Sequence, residues 1–151
     1  MKQPTLPLNG ACRCGRVKIC ISAPPLLTMA CHCTGCQRMS ASAYSLSAAI
    51  PSEGFAVTAG EPVVAGASRE AGHHFCPDCM TWMFTRPAGM DFFVNVRPTM
   101  LDDTGWFQPF IETYTSEKLA FAATGAVHSY EKFPPMEDYE TLVAAYAARA
   151  A

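Results

Sequence analysis

Seven of the eight cysteines in this 151-residue chain fall into three short clusters: Cys12-Arg13-Cys14, Cys31-His32-Cys33-Thr34-Gly35-Cys36 and Cys76-Pro77-Asp78-Cys79. Whatever fold forms must give those sulfurs suitable company. In a small secreted protein an even cysteine count points to disulfides. This chain is long enough to bury a sizeable core, and its start, MKQPTLPLNG, has two prolines and no apolar signal segment. The expected compartment is therefore the reducing cytoplasm, and the expected use of the clusters is metal ligation. Soft thiolates without an accompanying carboxylate cluster select zinc over magnesium or calcium.

Spacing within the clusters suits that metal. A Cys-x-x-Cys unit wraps a tight knuckle that holds both sulfurs about 2.3 Å from a zinc ion, with backbone N–H groups bonded to the sulfurs. A Cys-x-Cys unit converges in the same way at a strand end, where residues i and i+2 face one side. Two, three and two ligands make seven, one short of two tetrahedral sites. The natural partition is a closed site from Cys12, Cys14, Cys76 and Cys79, and a three-cysteine site from Cys31, Cys33 and Cys36. The second keeps one corner for water or substrate, as a catalytic zinc does.

Other residues compete for that corner. Cys20 stands alone between Ile19 and Ile21 and reads as a small buried hydrophobe, with an eighth ligand as the alternative. His32 lies between two ligands and reads as a group behind the site. His73 and His74 read as polar residues of a strand entering the knuckle, with one of them near the metal as the alternative. His128 has no motif around it. Met80 follows the knuckle where the turn often wants φ > 0, a conformation that costs a methionine about 1–2 kcal/mol, so either the backbone differs there or the metal absorbs the strain.

Around the clusters the chain reads as mainly β. Short β-like runs, Val17–Ser22, Leu26–Cys31, Tyr44–Ile50, Phe55–Thr58, Pro62–Ala65, Thr81–Thr85, Phe92–Val96, Phe110–Thr115 and Leu119–Ala122, alternate with Pro- and Gly-bearing turns such as Pro51-Ser52-Glu53-Gly54. Glu137–Ala150 is rich in Ala, Leu and Glu without Gly or Pro and predicts a C-terminal helix. One domain over residues 1–151 is expected, with a core at about 8–122. A net charge of −2, 16% charged residues and no basic run argue against nucleic-acid binding, and no apolar stretch approaches the ~20 residues of a membrane span. Unpaired strand edges are compatible with a homodimer.

Gly10-Ala11-Cys12-Arg13-Cys14-Gly15, Cys31-His32-Cys33-Thr34-Gly35-Cys36-Gln37-Arg38, Phe75-Cys76-Pro77-Asp78-Cys79 with Thr81, and Leu101-Asp102-Asp103 together resemble the glutathione-dependent formaldehyde-activating enzyme family, shared with centromere protein V. The likeness spans roughly residues 8 to 122. It implies a β-tent of short antiparallel strands and two zinc ions per chain. One would be structural, on Cys12, Cys14, Cys76 and Cys79; the other catalytic, on Cys31, Cys33 and Cys36. It also implies carbon–sulfur lyase chemistry that interconverts glutathione plus formaldehyde with S-hydroxymethylglutathione, so the expected partner is a small thiol. The alternative is a non-enzymatic zinc-stabilised module that binds a protein partner. For the aldehyde oxygen the positional candidates are Ser40, Ser42 and Tyr44, and Arg38 is a candidate for a substrate carboxylate. This chain departs from the family pattern at Met80 in place of glycine, at Ile111-Glu112 in place of a His-Ile pair, and at Ala120-Phe121 in place of Pro-Trp.

Overall fold

The computed structural model of the chain describes residues 1–150. In chain order its strands and helices are β1 (Leu8–Ala11), β2 (Lys18–Ile21), β3 (Leu27–Cys31), α1 (Thr34–Ser40), β4 (Ser45–Pro51), β5 (Phe55–Ala59), β6 (Val63–Val64), β7 (His73–Phe75), β8 (Trp82–Thr85), β9 (Phe93–Val96), β10 (Ile111–Thr113), β11 (His128–Ser129) and α2 (Tyr139–Ala150). The mainly-β expectation holds. Strands β1-β2-β5 form a three-stranded sheet, and β11-β10-β3-β4-β9-β8-β7-β6 form an eight-stranded one.

Alternation builds the interface between the sheets. In β2 the odd positions Ile19 and Ile21 are fully buried while Lys18 is exposed and Cys20 half-buried, which is the period-2 pattern of a strand with one face in the core. β4, a central strand, buries residues on both faces, and Ala48 and Ile50 join Met83, Phe84, Val94 and Val96 against the β2 face. Cys12 and Cys76 belong to this same cluster, so two of the metal-type sulfurs are part of the core. A second cluster lies under α2, where Leu142 and Tyr146 pack on Leu27, Ala49, Phe110 and Ile111. Among the described residues no helix is long and apolar enough to cross a membrane.

Three expectations require correction. The strands are not uniformly antiparallel, because β10 runs parallel to both β3 and β11. A parallel neighbour requires a long connection: residues 32–110, which include the intervening strands, separate β3 from β10, and residues 114–127 separate β10 from β11. Leu119–Ala122 is a turn closed by Ala122 N–H donating to Leu119 C=O, with Phe121 80% exposed; β11 occupies the edge of β10 that this run would have needed. The C-terminal helix begins at Tyr139 rather than Glu137, since Pro134-Pro135 deliver the chain into a 3-10 turn over Met136–Asp138. A short helix that was not expected, α1, fills the loop after Cys33.

Gly10 shows why the first cysteine motif begins with glycine. A Cβ there would stand 2.6 Å from the Met100 carbonyl oxygen and 3.1 Å from Leu101 Cα, because Gly10 bridges to Leu101 at the sheet edge. Both neighbours are backbone, so the strand has to move. Gly10→Ala is expected to lower stability by about 1–3 kcal/mol, read as a drop in the thermal or urea midpoint.

Candidate metal centres

The first centre forms where the end of β1 meets the turn after β7. Gly15 N–H donates to Cys12 C=O at 2.9 Å and closes a tight loop that carries Cys14 back beside Cys12. The knuckle mirrors it, with Met80 N–H donating to Cys76 C=O at 3.0 Å. Sulfur-directed donors surround both turns: Val17 N–H reaches Cys12 Sγ at 3.3 Å, Cys79 N–H reaches Cys76 Sγ at 3.5 Å, and the Thr81 hydroxyl lies 3.2 Å from Cys79 Sγ. That hydroxyl also accepts from Arg13 N–H, and so stitches the two turns together.

The four sulfurs lie within 4.8 Å of one another, with Cys12–Cys14 at 3.6 Å and Cys14–Cys76 at 3.8 Å. A tetrahedron with 2.3 Å metal–sulfur bonds has edges of about 3.8 Å, so the donor set fits zinc. Their protonation points the same way. The Thr81 hydroxyl and backbone draw Cys79 down to about 5. Burial opposes ionisation of Cys12, but the Val17 N–H and neighbouring thiols lower it overall. The Arg16 N–H favours the Cys14 thiolate, yet desolvation and its sulfur neighbours push it up to about 11. Four sulfurs this close cannot all ionise without a cation between them, and that is what a metal supplies.

The second centre is built by β3, α1 and the pairing of β3 with its neighbours. Cys31 ends β3, opposite Ser45 on β4 and Thr113 on β10. Cys33 is the N-cap of α1, its sulfur accepting from Cys36 N–H at 3.3 Å. Helix α1 ends at Ala41 with φ 49°, a left-handed stop after less than two turns. Cys31, Cys33 and Cys36 are all half-buried and their sulfurs are mutually within 4.8 Å; among the described residues no fourth Cys, His, Asp or Glu joins them. Hydrogen bonding to Cys36 draws Cys31 down to about 5 against burial, with the Thr113 hydroxyl assisting. The same bond and burial push Cys36 up, although the Ser45 hydroxyl favours its thiolate. Burial also raises Cys33.

The competing donors lie elsewhere. His32 is buried and turned to Glu112, with its Nε2 2.8 Å from Oε2. His73 Nδ1 bonds to the Thr85 hydroxyl at 2.9 Å, and His74 Nδ1 to Gly72 C=O at 2.7 Å. Cys20 Sγ faces the Ile21 carbonyl at 3.7 Å on β2, and His128 sets its ring edge-on to Phe110. None of these joins either sulfur group.

Two residues that matter at this centre were not singled out by the sequence reading. Glu112, noted only as a departure from the family pattern, is 6% exposed and accepts from Ser129 at 2.7 Å and Thr124 at 2.8 Å as well as from His32, with Lys118 at 3.7 Å. Burial raises its proton affinity, but these donors outweigh that and hold it at about 2. An ionised carboxylate only accepts, so the His32 Nε2 carries the shared proton. The available signal was an acid inside the apolar run Phe110-Ile111-Glu112. Arg97 lines a cavity of about 330 Å³ together with Ser42, Tyr44, Ser45, Trp82 and Thr99. Ser45 both lines that cavity and pairs with Cys31 across β3 and β4, so the cavity adjoins the three-cysteine group. Arg38, the sequence candidate for a carboxylate, is exposed on α1 and does not line it.

A family model described as glutathione-dependent formaldehyde-activating enzyme matches residues 7–117. None of the curated proteins matches this chain. A solved structure of a Rhodobacter sphaeroides protein is similar at 22% identity, covering 62% of this chain and 87% of that one, with a TM-score of 0.48.

Two outcomes are expected from these centres. Met80 has φ 58° and is 56% exposed, so the left-handed turn is real and the side chain packs against little. Met80→Gly should raise the denaturation midpoint by an amount equivalent to at most about 1 kcal/mol, the relieved strain being partly offset by a more flexible unfolded chain. Glu112 titrates near 2 in the fold against 4.5 ordinarily, so its stabilisation is present above pH 4.5 and is lost as pH falls through 2. Glu112→Gln should therefore be less stable than wild type by about 2–3 kcal/mol at neutral pH, and urea titrations should show the gap closing toward pH 2.

Proposed function

Because the chain belongs to the glutathione-dependent formaldehyde-activating enzyme family, we propose that it is a zinc-dependent carbon–sulfur lyase acting on the adduct of a small thiol and an aldehyde, of the S-hydroxymethylglutathione kind. The observation that carries this reading is the difference between the two sulfur groups. Four sulfurs close one centre, whereas three stand at the other beside a 330 Å³ cavity. The first is the structural site and the second is the reactive one, on Cys31, Cys33 and Cys36.

Cys31, Cys33 and Cys36 would hold zinc with one coordination position open, where it would keep a bound substrate thiol ionised at neutral pH. The chain's own groups do the rest. Thr113 and Ser45 flank Cys31 on the neighbouring strands, and the N-cap geometry fixes Cys33. Ser40 is unsuited to the aldehyde oxygen, since its hydroxyl donates back to Cys36 C=O at 2.7 Å. Ser42 and Tyr44 line the cavity, and among the described residues their hydroxyls have no side-chain or backbone partner. They are the donors for the aldehyde oxygen. In the lyase direction the adduct's hydroxyl gives up its proton to water, the C–S bond breaks with its electron pair going to sulfur, and formaldehyde leaves. Free-thiol chemistry of this kind belongs to a reducing compartment, the cytoplasm.

Metal analysis should give two zinc ions per wild-type chain and one for Cys33→Ser. Formaldehyde–glutathione exchange followed by NMR should be accelerated by the wild type and fall by more than about tenfold in that variant. Wild-type exchange at the enzyme-free rate sinks the lyase reading, and a binding module for a protein partner then replaces it.

A further inference from the structure

Arg97 is a half-buried cation that no carboxylate accompanies. Among the described residues the ion pairs involve Arg16, His32 and Lys118, but not Arg97. Its guanidinium is nevertheless fixed. Nη1 donates to Leu46 C=O at 3.0 Å, Nη2 donates to the Thr85 hydroxyl at 2.8 Å, and the Cζ lies 3.6 Å from the centroid of the Trp82 ring. Those two bonds use two of the five N–H donors an arginine carries. Its Nε–H is buried without a partner, and so is the indole Nε1–H of Trp82 beneath it.

A brace between β4 and β8 would explain the two bonds made. It does not explain a charge left short of acceptors at the wall of a cavity, where desolvation without pairing is costly. Burial lowers the proton affinity of Arg97 to about 10, against the opposing pull of the nearby cysteine group, so it remains a cation at neutral pH. Planar guanidinium held rigid on an aromatic face is the arrangement that receives a carboxylate at least entropic cost.

We propose that the cavity beside Cys36 is a carboxylate subsite in which Arg97, held on Trp82, receives a carboxylate carried by the substrate thiol while the sulfur end lies at the three-cysteine group. This rests on the reading of Cys31, Cys33 and Cys36 as the thiol site, and it narrows the substrate class to acidic thiols and their aldehyde adducts. Arg97 is thus a specificity-determining residue for this chain.

Calorimetric titration of the zinc-loaded protein with 3-mercaptopropionate and its neutral isostere 3-mercaptopropionamide tests the subsite. The acid is expected to bind about tenfold more tightly at low salt, the worth of one charge-assisted contact, and the advantage should shrink with added salt. Arg97→Met should abolish the preference with zinc content unchanged, and Arg97→Lys should restore part of it. Repeating the comparison with glutathione and its diethyl ester tells whether the carboxylate belongs to a short thiol acid or to a peptide thiol; a preference in either pair supports the subsite. Equal binding within both pairs by the wild type overturns it, whether or not the Arg97→Met protein folds. Should exchange of formaldehyde be accelerated equally for acid and amide, with no preference in binding, the subsite falls and the lyase reading stands. A preference without accelerated exchange leaves the subsite standing and removes the lyase reading.

Discussion

Four cysteine sulfurs within 4.8 Å of one another are the constraint on which the rest of this structure depends. They come from two turns 62 residues apart, one ending the small sheet and one interrupting the large sheet between β7 and β8. Crowded thiols of this kind repel as soon as they ionise, so their approach makes sense only around a cation. Two of the four, Cys12 and Cys76, are buried in the main hydrophobic cluster with Ile19, Met83 and Phe84. Packing and ligation therefore reinforce each other at one place, and the contact between the two sheets is pinned there.

The three-cysteine group is held by different means. Its three ligands sit on a strand end, a helix cap and a short helix, so no single turn fixes them. Pairing in the sheet does so instead: β4 brings Ser45 and β10 brings Thr113 alongside Cys31. Behind them Glu112 gathers His32, Ser129 and Thr124 into one hydrogen-bonded set and ties β10 to β3 and β11. A charge buried there is tolerable because every neighbour donates to it. The result is a hydrogen-bonded wall on one side of the cysteines and the cavity lined by Ser45 and Arg97 on another.

Legibility in the sequence followed the range of the interactions. The strands around Ile19 and Val94 could be read because alternation is a local property, and those around Met29 and Ala48 because a short apolar run between turn residues is local too. Leu119–Ala122 has similar composition and still failed, since an edge strand exists only if a neighbour's hydrogen bonds are free, and β11 had taken them. Helix α1 escaped notice because Thr34-Gly35-Cys36 has no helical periodicity; its start depends on a sulfur acting as a cap. The knuckle spacing left open whether Met80 takes the left-handed turn or the backbone departs from it, and φ 58° decides for the turn.

By itself the sequence determined the ligand sets, because a Cys-x-Cys or Cys-x-x-Cys unit converges within a single turn and counting then separates a complete set from an incomplete one. Only the tertiary structure decided what surrounds them. Glu112 lies 80 residues from His32, and Arg97 lies 61 positions after Cys36, so neither could be assigned to the site by spacing. Their roles come from strand pairing and burial, which surround the Glu112 carboxylate with donors and set the Arg97 guanidinium on Trp82, in low-dielectric surroundings where charge acts strongly.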